Sequence, residues 1–482
     1  MALFDPFARL RERVATEPGS DAVIGADERS TVTELWDSAQ RFAIMLREAG
    51  VEPGDAVAVA VPGLLQPVFA VALGLLGAIG AVAPQADGAA LAGVLDRLII
   101  TAPLPGFPAG RQIVIDPRWL ARAGALADPV FEPVERPRDA IVRVIFSSGT
   151  TGAPKAIPFT MDEIAERVLR GREFWMHERP FLAILGLGTV SGSATFFSAI
   201  EEGTPYLVGG TADENVRLLA STGAGAIHAS PVQASELLTA ARRPGQTLPA
   251  LRFIQSAGSP MPDQLAARLT DYFGAQVEII YGSTEVGGIT IRRGPALVPG
   301  DVGEIQPFAT VEVLGDDGRP RTDGEPGLIR IRRPHQAHRS FRGSEDDESG
   351  FRDGWFVPGD VGRVVDGRLV LLGRADELIN AAGIKVDPER IEQRALRHPG
   401  VMDAVAVGVE DARGVSAVAL AVVADPAVEL PVLRAALGAE FGDAAPRILE
   451  RVAAIPRTEN GKIRRAEVAA SLRDRLGRGW EL

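Results

Sequence analysis

Residues 144–159 read VIFSSGTTGAPKAIPF, from Val144 to Phe159. The residues leading into this segment, IVRVIF, form a short β-branched and apolar run bounded by polar residues, which is the pattern of a buried strand. A strand therefore delivers a loop that is rich in hydroxyls and glycine and ends in a lysine. Gly149 and Gly152 let successive N–H groups turn toward one anion, while Ser147, Ser148, Thr150 and Thr151 add hydroxyl donors and Lys155 a point charge. Such a loop suits phosphate. It is not a Walker A loop, because Pro154 and Ala156 occupy the positions where that pattern needs Gly before the lysine and Ser or Thr after it.

Around the loop, strand-like and helical segments alternate. Thr31 and Glu34 have capping-box spacing at the head of TVTELWDSAQRFAIMLREAG, and Gly50 is its natural stop. Strand-like runs recur at FLAILGL, PYLVG, GAIHAS, LRFIQSAG and QVEIIYG, separated by helical segments such as DQLAARLTDYFG, where Leu265, Leu269 and Phe273 share a face. This alternation predicts an α/β fold with mostly parallel, helix-covered sheets and ligands at the carboxyl ends of the strands. From about residue 300 the texture changes to short strands and Gly/Asp turns, as in VEVLGDDGRPRTDGEPGLIRIRR, which predicts a β-rich subdomain over about 300–373. A boundary is expected near Gly373, followed by a compact α+β unit in which Asp387 caps a helix opened by Pro388. The expected domains are thus 1–374, with two sheets and the β-rich subdomain, and 375–482.

Length and composition agree with a folded multidomain chain. At 482 residues it exceeds one ordinary domain, and 53 Gly with 35 Pro, about 18%, fall below the roughly 25–30% of low-complexity disorder. With 51 Lys and Arg against 63 Asp and Glu, the net charge of −12 gives no global basis for holding nucleic acid or an anionic membrane. There is no cysteine, which excludes disulfides, thiolate metal sites and a cysteine nucleophile. The N-terminus has scattered charges and no apolar signal region, so the cytoplasm is the expected compartment. The charge-free run from Ala56 to Ala86 is long enough to span a bilayer, but Pro62, Gly63, Gln66 and Pro67 divide it into a buried strand and a short apolar helix.

The opening loop resembles the signature loop of the adenylate-forming superfamily of acyl-CoA synthetases, nonribosomal peptide adenylation domains and luciferases. Four further segments resemble motifs of the same superfamily in the same order. They are YGSTEVGG from Tyr281, DGWFVPGD ending at Asp360, GRADELINAAGIKV from Gly373, and PRTENGK ending at Lys462. The resemblance covers essentially the whole chain and is closest in kind to acyl-CoA synthetases. It implies ATP and Mg²⁺, a small carboxylic acid as substrate, and coenzyme A or an acyl carrier protein as the thiol partner.

Position by position, the resemblance implies that Ser147, Ser148, Gly149, Thr150, Thr151, Gly152 and Lys155 grip the β- and γ-phosphates. Gly258 and Gly282 belong to the same nucleotide site, Tyr281 offers an aromatic face to the adenine, Thr284 meets the α-phosphate, and Glu285 holds Mg²⁺, a hard cation suited to carboxylate oxygen. Asp360, with Arg374 nearby, accepts the ribose hydroxyls. Lys462 reaches the α-phosphate and the attacking carboxylate, so Lys462, Thr284 and Glu285 form the catalytic set. Asp376 is the hinge of a mobile C-terminal domain, and Gly383 lines the thiol tunnel. A carboxylate is already ionised at neutral pH, so attack on the α-phosphorus requires no general base. Catalysis is then alignment and charge stabilisation.

The acid pocket departs from its relatives. Thr189 and Val190 in GLGTVSGSATFF stand where many relatives carry a histidine or aromatic residue, and no aspartate is present to hold an amine, so a plain carboxylic acid is expected. His228 is a further candidate for the pocket wall, with a structural hydrogen bond as its other reading. The glycines of GLGTVSG do not match a dinucleotide fingerprint, and His335 and His338 lack further ligands for a metal. The same adenylation with a different acceptor (a carrier-protein thiol, an amine or an internal hydroxyl) and a silent nucleotide-binding homologue are the alternatives.

Overall fold

The structure is a computed structural model that describes residues 4–84, 87–147, 155–174, 179–245, 251–336, 340–342, 350–375, 377–381, 384–410, 416–457 and 463–476. Its first sheet has six strands in the order 112–114, 97–100, 56–60, 79–82, 141–147, 155–160, and every neighbouring pair is parallel except the last. The strand Ala56–Ala60 is AVAVA and buried along nearly its whole length, as a strand covered on both faces must be. Pro62 and Gly63 then break the chain ahead of the helix Leu65–Leu75, so the long apolar run divides between a strand and a helix of 11 residues. Among the described residues no helix is long and apolar enough to cross a membrane.

Packing against the helix Leu65–Leu75, the helix Val32–Glu48 is held at its start by Thr31 and Glu34. The Glu34 carboxylate accepts from Thr31 N at 2.8 Å and Glu34 N donates to Thr31 Oγ1 at 3.2 Å. The helix stops before Gly50, whose φ of +81° disfavours other residues. Its buried Leu35, Phe42 and Leu46 join Phe69 and Leu73 in the largest core cluster, each side chain of this size contributing about 1.5–3 kcal/mol on burial.

In the second sheet, the parallel strands Phe181–Ala183, Ala226–Ala229, Phe253–Ser256 and Gln276–Ser283 lie side by side. The helix Asp263–Phe273 buries Leu269 and Phe273 against them, with Leu265 partly covered. The sheet then turns antiparallel at Gly287–Arg293 and continues through Asp301–Ile305, Arg368–Arg374, Asp360–Val365 and Gly327–Arg332. The β-rich region is therefore an extension of the parallel sheet, and the hairpin 276–293 is the seam. The run PYLVG falls outside this sheet: Tyr206–Leu207 pairs with Asp21–Ile24 in a small sheet of three strands.

At the C-terminal end, Val401–Glu410 and Ser416–Ala424 pair antiparallel and Ile448–Arg451 adds parallel to the latter. Separate apolar clusters form around Leu420 and Leu433 and around Val405 and Leu472. The helix Pro388–Leu396 is capped by Asp387, which accepts from Glu389 N at 2.9 Å.

Candidate active site

Ser147 ends the strand Ile141–Ser147 and lies directly across from Lys155, the first residue of Lys155–Thr160. The antiparallel pairing fixes the two ends of the phosphate loop opposite each other. The lysine is thus seated on a strand and not on the loop itself. Ser148, Gly149, Thr150, Thr151 and Gly152 lie outside the described residues, as do Asp376, Gly383 and Lys462. The flanks of Lys462 are described: Arg457 and Ile463 form an antiparallel bridge.

The parallel strands of the second sheet bring Gly258 and the Tyr281 motif to their carboxyl ends. Gly258 follows Phe253–Ser256 with φ +92°. Tyr281 and Gly282 close Gln276–Ser283, and Thr284, Glu285 and Val286 make the turn into Gly287–Arg293. A side chain at Gly282 would place Cβ 2.0 Å from Gly287 O, so the tight hairpin requires glycine there. The Tyr281 hydroxyl donates to Asp360 Oδ2, joining residues 79 apart in sequence. Asp360 opens its strand opposite Arg374, whose Nη1 lies 3.6 Å from Asp360 Oδ1. Burial and the adjacent Asp360 carboxylate push the Tyr281 phenol well above its ordinary value, so it stays protonated and acts as a donor.

The Glu285 turn is held by two arginines that the motifs do not reveal. Arg167 Nη2 donates to Glu285 O at 2.9 Å, and Arg333 Nη1 donates to Val286 O at 2.6 Å. The Arg333 guanidinium also pairs with Glu166, with side-chain exposures of 1% and 9%. Burial, and then repulsion from Arg333, push Arg167 down to about 9. The readable signal for Arg167 was its place on the apolar stripe of the helix Met161–Phe174, beside the buried Ile164 and Val168. Arg333 sits among other arginines in a polar segment and carries no such signal.

Thr189 caps the helix Val190–Glu202: its Oγ1 accepts from Gly192 N at 3.0 Å and donates to Gly186 O at 2.9 Å. Cβ at Gly192 would lie 1.8 Å from Gly186 O, so the glycine cluster is explained by a tight strand-to-helix turn. Val190 is the first residue of that helix and is half-buried. His228 is buried on Ala226–Ala229 and its Nδ1 pairs with Ser191 Oγ. His335 is exposed, and His338 lies outside the described residues.

A family model described as AMP-binding enzyme matches residues 10–339, and one described as AMP-binding enzyme C-terminal domain matches residues 390–462. The chain belongs to the AMP-binding enzyme family. Among curated relatives, it is 30% identical over 404 residues to a sulfoacetate–CoA ligase of Cupriavidus necator, covering 78% of this chain and 74% of the relative. It is 28% identical to a feruloyl-CoA synthase of an Amycolatopsis species, covering 95% and 96% of the two chains, and 27% identical to an oxalate–CoA ligase of Arabidopsis thaliana, covering 96% and 98%. The fold matches ATP-bound MatB from Rhodopseudomonas palustris with TM-score 0.83 at 22% identity, over 97% and 99% of the chains. It also matches the O-succinylbenzoate coenzyme A synthetase of Bacillus subtilis in complex with AMP, with TM-score 0.83 at 22% identity, over 98% and 99%.

Proposed function

We propose that this AMP-binding enzyme activates a carboxylic acid with ATP and passes the acyl group to coenzyme A. A carboxylate oxygen forms a bond to the α-phosphorus as the bond to the β-phosphate bridging oxygen breaks, releasing pyrophosphate. The thiolate of coenzyme A then attacks the acyl carbon of the adenylate and AMP departs. The observation that carries this reading is the Tyr281–Asp360–Arg374 contact, which brings three of the sequence motifs together. The relatives named for sulfoacetate, ferulate and oxalate support coenzyme A as acceptor and leave the acid open.

In this reading Asp360 accepts from the ribose and is oriented by the Tyr281 hydroxyl. Lys155, Ser147 and the loop between them hold the outer phosphates, and Thr284 donates to the α-phosphate. Glu285 suits Mg²⁺ as a single buried oxygen ligand. Among the described residues no group of three or more His, Cys, Asp or Glu stands together, in keeping with a cation that draws most of its ligands from phosphate and water. When bound, the ion offsets phosphate charge. Lys462 supplies the charge at the reacting oxygen, with the segment around Asp376 as hinge and Gly383 beside the thiol path.

The test is exchange of labelled pyrophosphate into ATP across aliphatic, aromatic and amino acids, followed by addition of coenzyme A. Exchange with one class of acid and an acyl-CoA product support the proposal. Exchange without a thioester would assign a different acceptor, and ATP binding with no exchange would favour a silent homologue.

A further inference from the structure

His228 is 6% exposed, and its two ring nitrogens differ in their surroundings. Nδ1 pairs with the hydroxyl of Ser191 in the first turn of Val190–Glu202. Nε2 is buried and has no hydrogen-bond partner among the described residues. A buried unpaired polar atom is costly and points to a missing partner. If the Ser191 hydroxyl donates to Nδ1, the imidazole proton resides on Nε2 and one donor remains to be met. The opposite tautomer would leave both the serine proton and the Nε2 lone pair without partners. The first arrangement therefore costs less and presents an N–H.

The location is the end of the sheet where the site gathers. His228 is one residue from the carboxyl end of its strand and lies in register with Gln255, which is in register with Glu278. Strand alternation places Ile280 on the same face and Tyr281, the next residue, on the opposite one. The charge of Glu278 is already met by Gln255 Nε2 at 2.7 Å and Arg293 Nε at 2.7 Å. Burial pushes the imidazole down to about 4, so it is neutral at physiological pH. What His228 Nε2 requires is therefore a neutral acceptor and not a counter-ion.

We propose that the Ser191–His228 pair selects the acid, and that the preferred acid carries a neutral oxygen (hydroxyl, ether or carbonyl) that accepts from His228 Nε2. The proposal rests on the adenylation reading above and names the substrate class of that site. His228 acts as a specificity residue, and Ser191 as the positioning residue that sets its tautomer.

The experiment compares matched acids: benzoate with its 3- and 4-hydroxy forms, cinnamate with its 4-hydroxy form, and butyrate with 3-hydroxybutyrate. Each is measured by pyrophosphate exchange and by calorimetric binding to the protein with a non-hydrolysable ATP analogue. The wild type should favour the oxygenated member of at least one pair by tenfold or more in both readouts, since a site built to donate penalises an analogue without the acceptor. His228→Phe should abolish that preference in both readouts. His228→Asn, which keeps a donor, should restore part of it, and Ser191→Ala should weaken it. Equal binding of every pair, or a preference that survives His228→Phe, overturns the proposal. Binding preference without any exchange would sustain the selection role while refuting the adenylation reading, so the two failures are distinguishable.

Discussion

Replacing Arg333 by Met tests whether the buried arginines hold the Glu285 turn in place. Methionine keeps an unbranched stem over Phe308, whose ring lies 4.7 Å from the guanidinium, and removes only the charged head. Three interactions are lost: the 2.6 Å bond to Val286 O, the buried pair with Glu166 and the cation–π contact with Phe308. Breaking a buried pair costs about 3–5 kcal/mol. Glu166 retains Arg170 at 3.2 Å, which places this loss at the lower end. The bond from a charged donor to Val286 O adds about 1.5–3 kcal/mol, and relief of the repulsion between Arg333 and Arg167 offsets part of it. The net expectation is roughly 4–5 kcal/mol. The assay is a double-mutant cycle with Glu166→Gln, read by denaturant unfolding, together with pyrophosphate exchange. A coupling energy of about 2 kcal/mol is expected, with exchange reduced in Arg333→Met beyond any loss of folded protein. Additive effects within about 0.5 kcal/mol, with exchange intact, would refute the clasp.

Tyr281→Phe removes one donor to Asp360 and leaves Arg374 in place; the KM for ATP should rise roughly tenfold, and an unchanged KM would detach Asp360 from ribose binding. Lys462→Ala should cost adenylation at least about 3 kcal/mol while sparing thioester formation from supplied acyl-adenylate; equal damage to both half-reactions would remove the lysine from its assigned role. Burial raises the Asp387 carboxyl to about 6, and burial together with Asp387 and Glu392 raises Glu389 to about 8. Both folded-state values exceed the ordinary 3.8 and 4.5, so the folded chain holds extra protons between those limits. Stability of the C-terminal region should therefore fall as pH rises through that window. Glu389→Gln should flatten the fall between pH 6 and 8 in thermal melts, and an unchanged profile would contradict the assignment.

Much of this fold could be read from local signals. Thr31 with Glu34, Asp387 with Pro388, and the break at Pro62–Gly63 are short-range devices whose chemistry is complete within a few residues. They settle element boundaries without reference to the rest of the chain. The continuity of the second sheet was not readable in that way, because it depends on the antiparallel hairpin 276–293 pairing onward with strands near residues 301 and 368. The site divides similarly. Ordered motifs marked Tyr281, Glu285 and Asp360, but the bond from Tyr281 to Asp360 spans 79 positions, and Arg333 reaches the Glu285 turn from a segment with no distinguishing pattern. Ser191 and His228, 37 positions apart, meet only because the helix Val190–Glu202 begins beside the strand Ala226–Ala229. Thr189, expected near the acid pocket by resemblance, also caps the helix Val190–Glu202 with its hydroxyl.

The proposed first step has a carboxylate oxygen of the acid attack the α-phosphorus of ATP. Its most direct test uses a carboxylic acid labelled with ¹⁸O in the carboxylate, incubated with ATP and coenzyme A, with the nucleotide product examined by mass spectrometry. The expected product is AMP carrying one ¹⁸O atom in its phosphate, formed in step with acyl-CoA. Unlabelled AMP, or label appearing in inorganic phosphate with ADP as the nucleotide product, would contradict it.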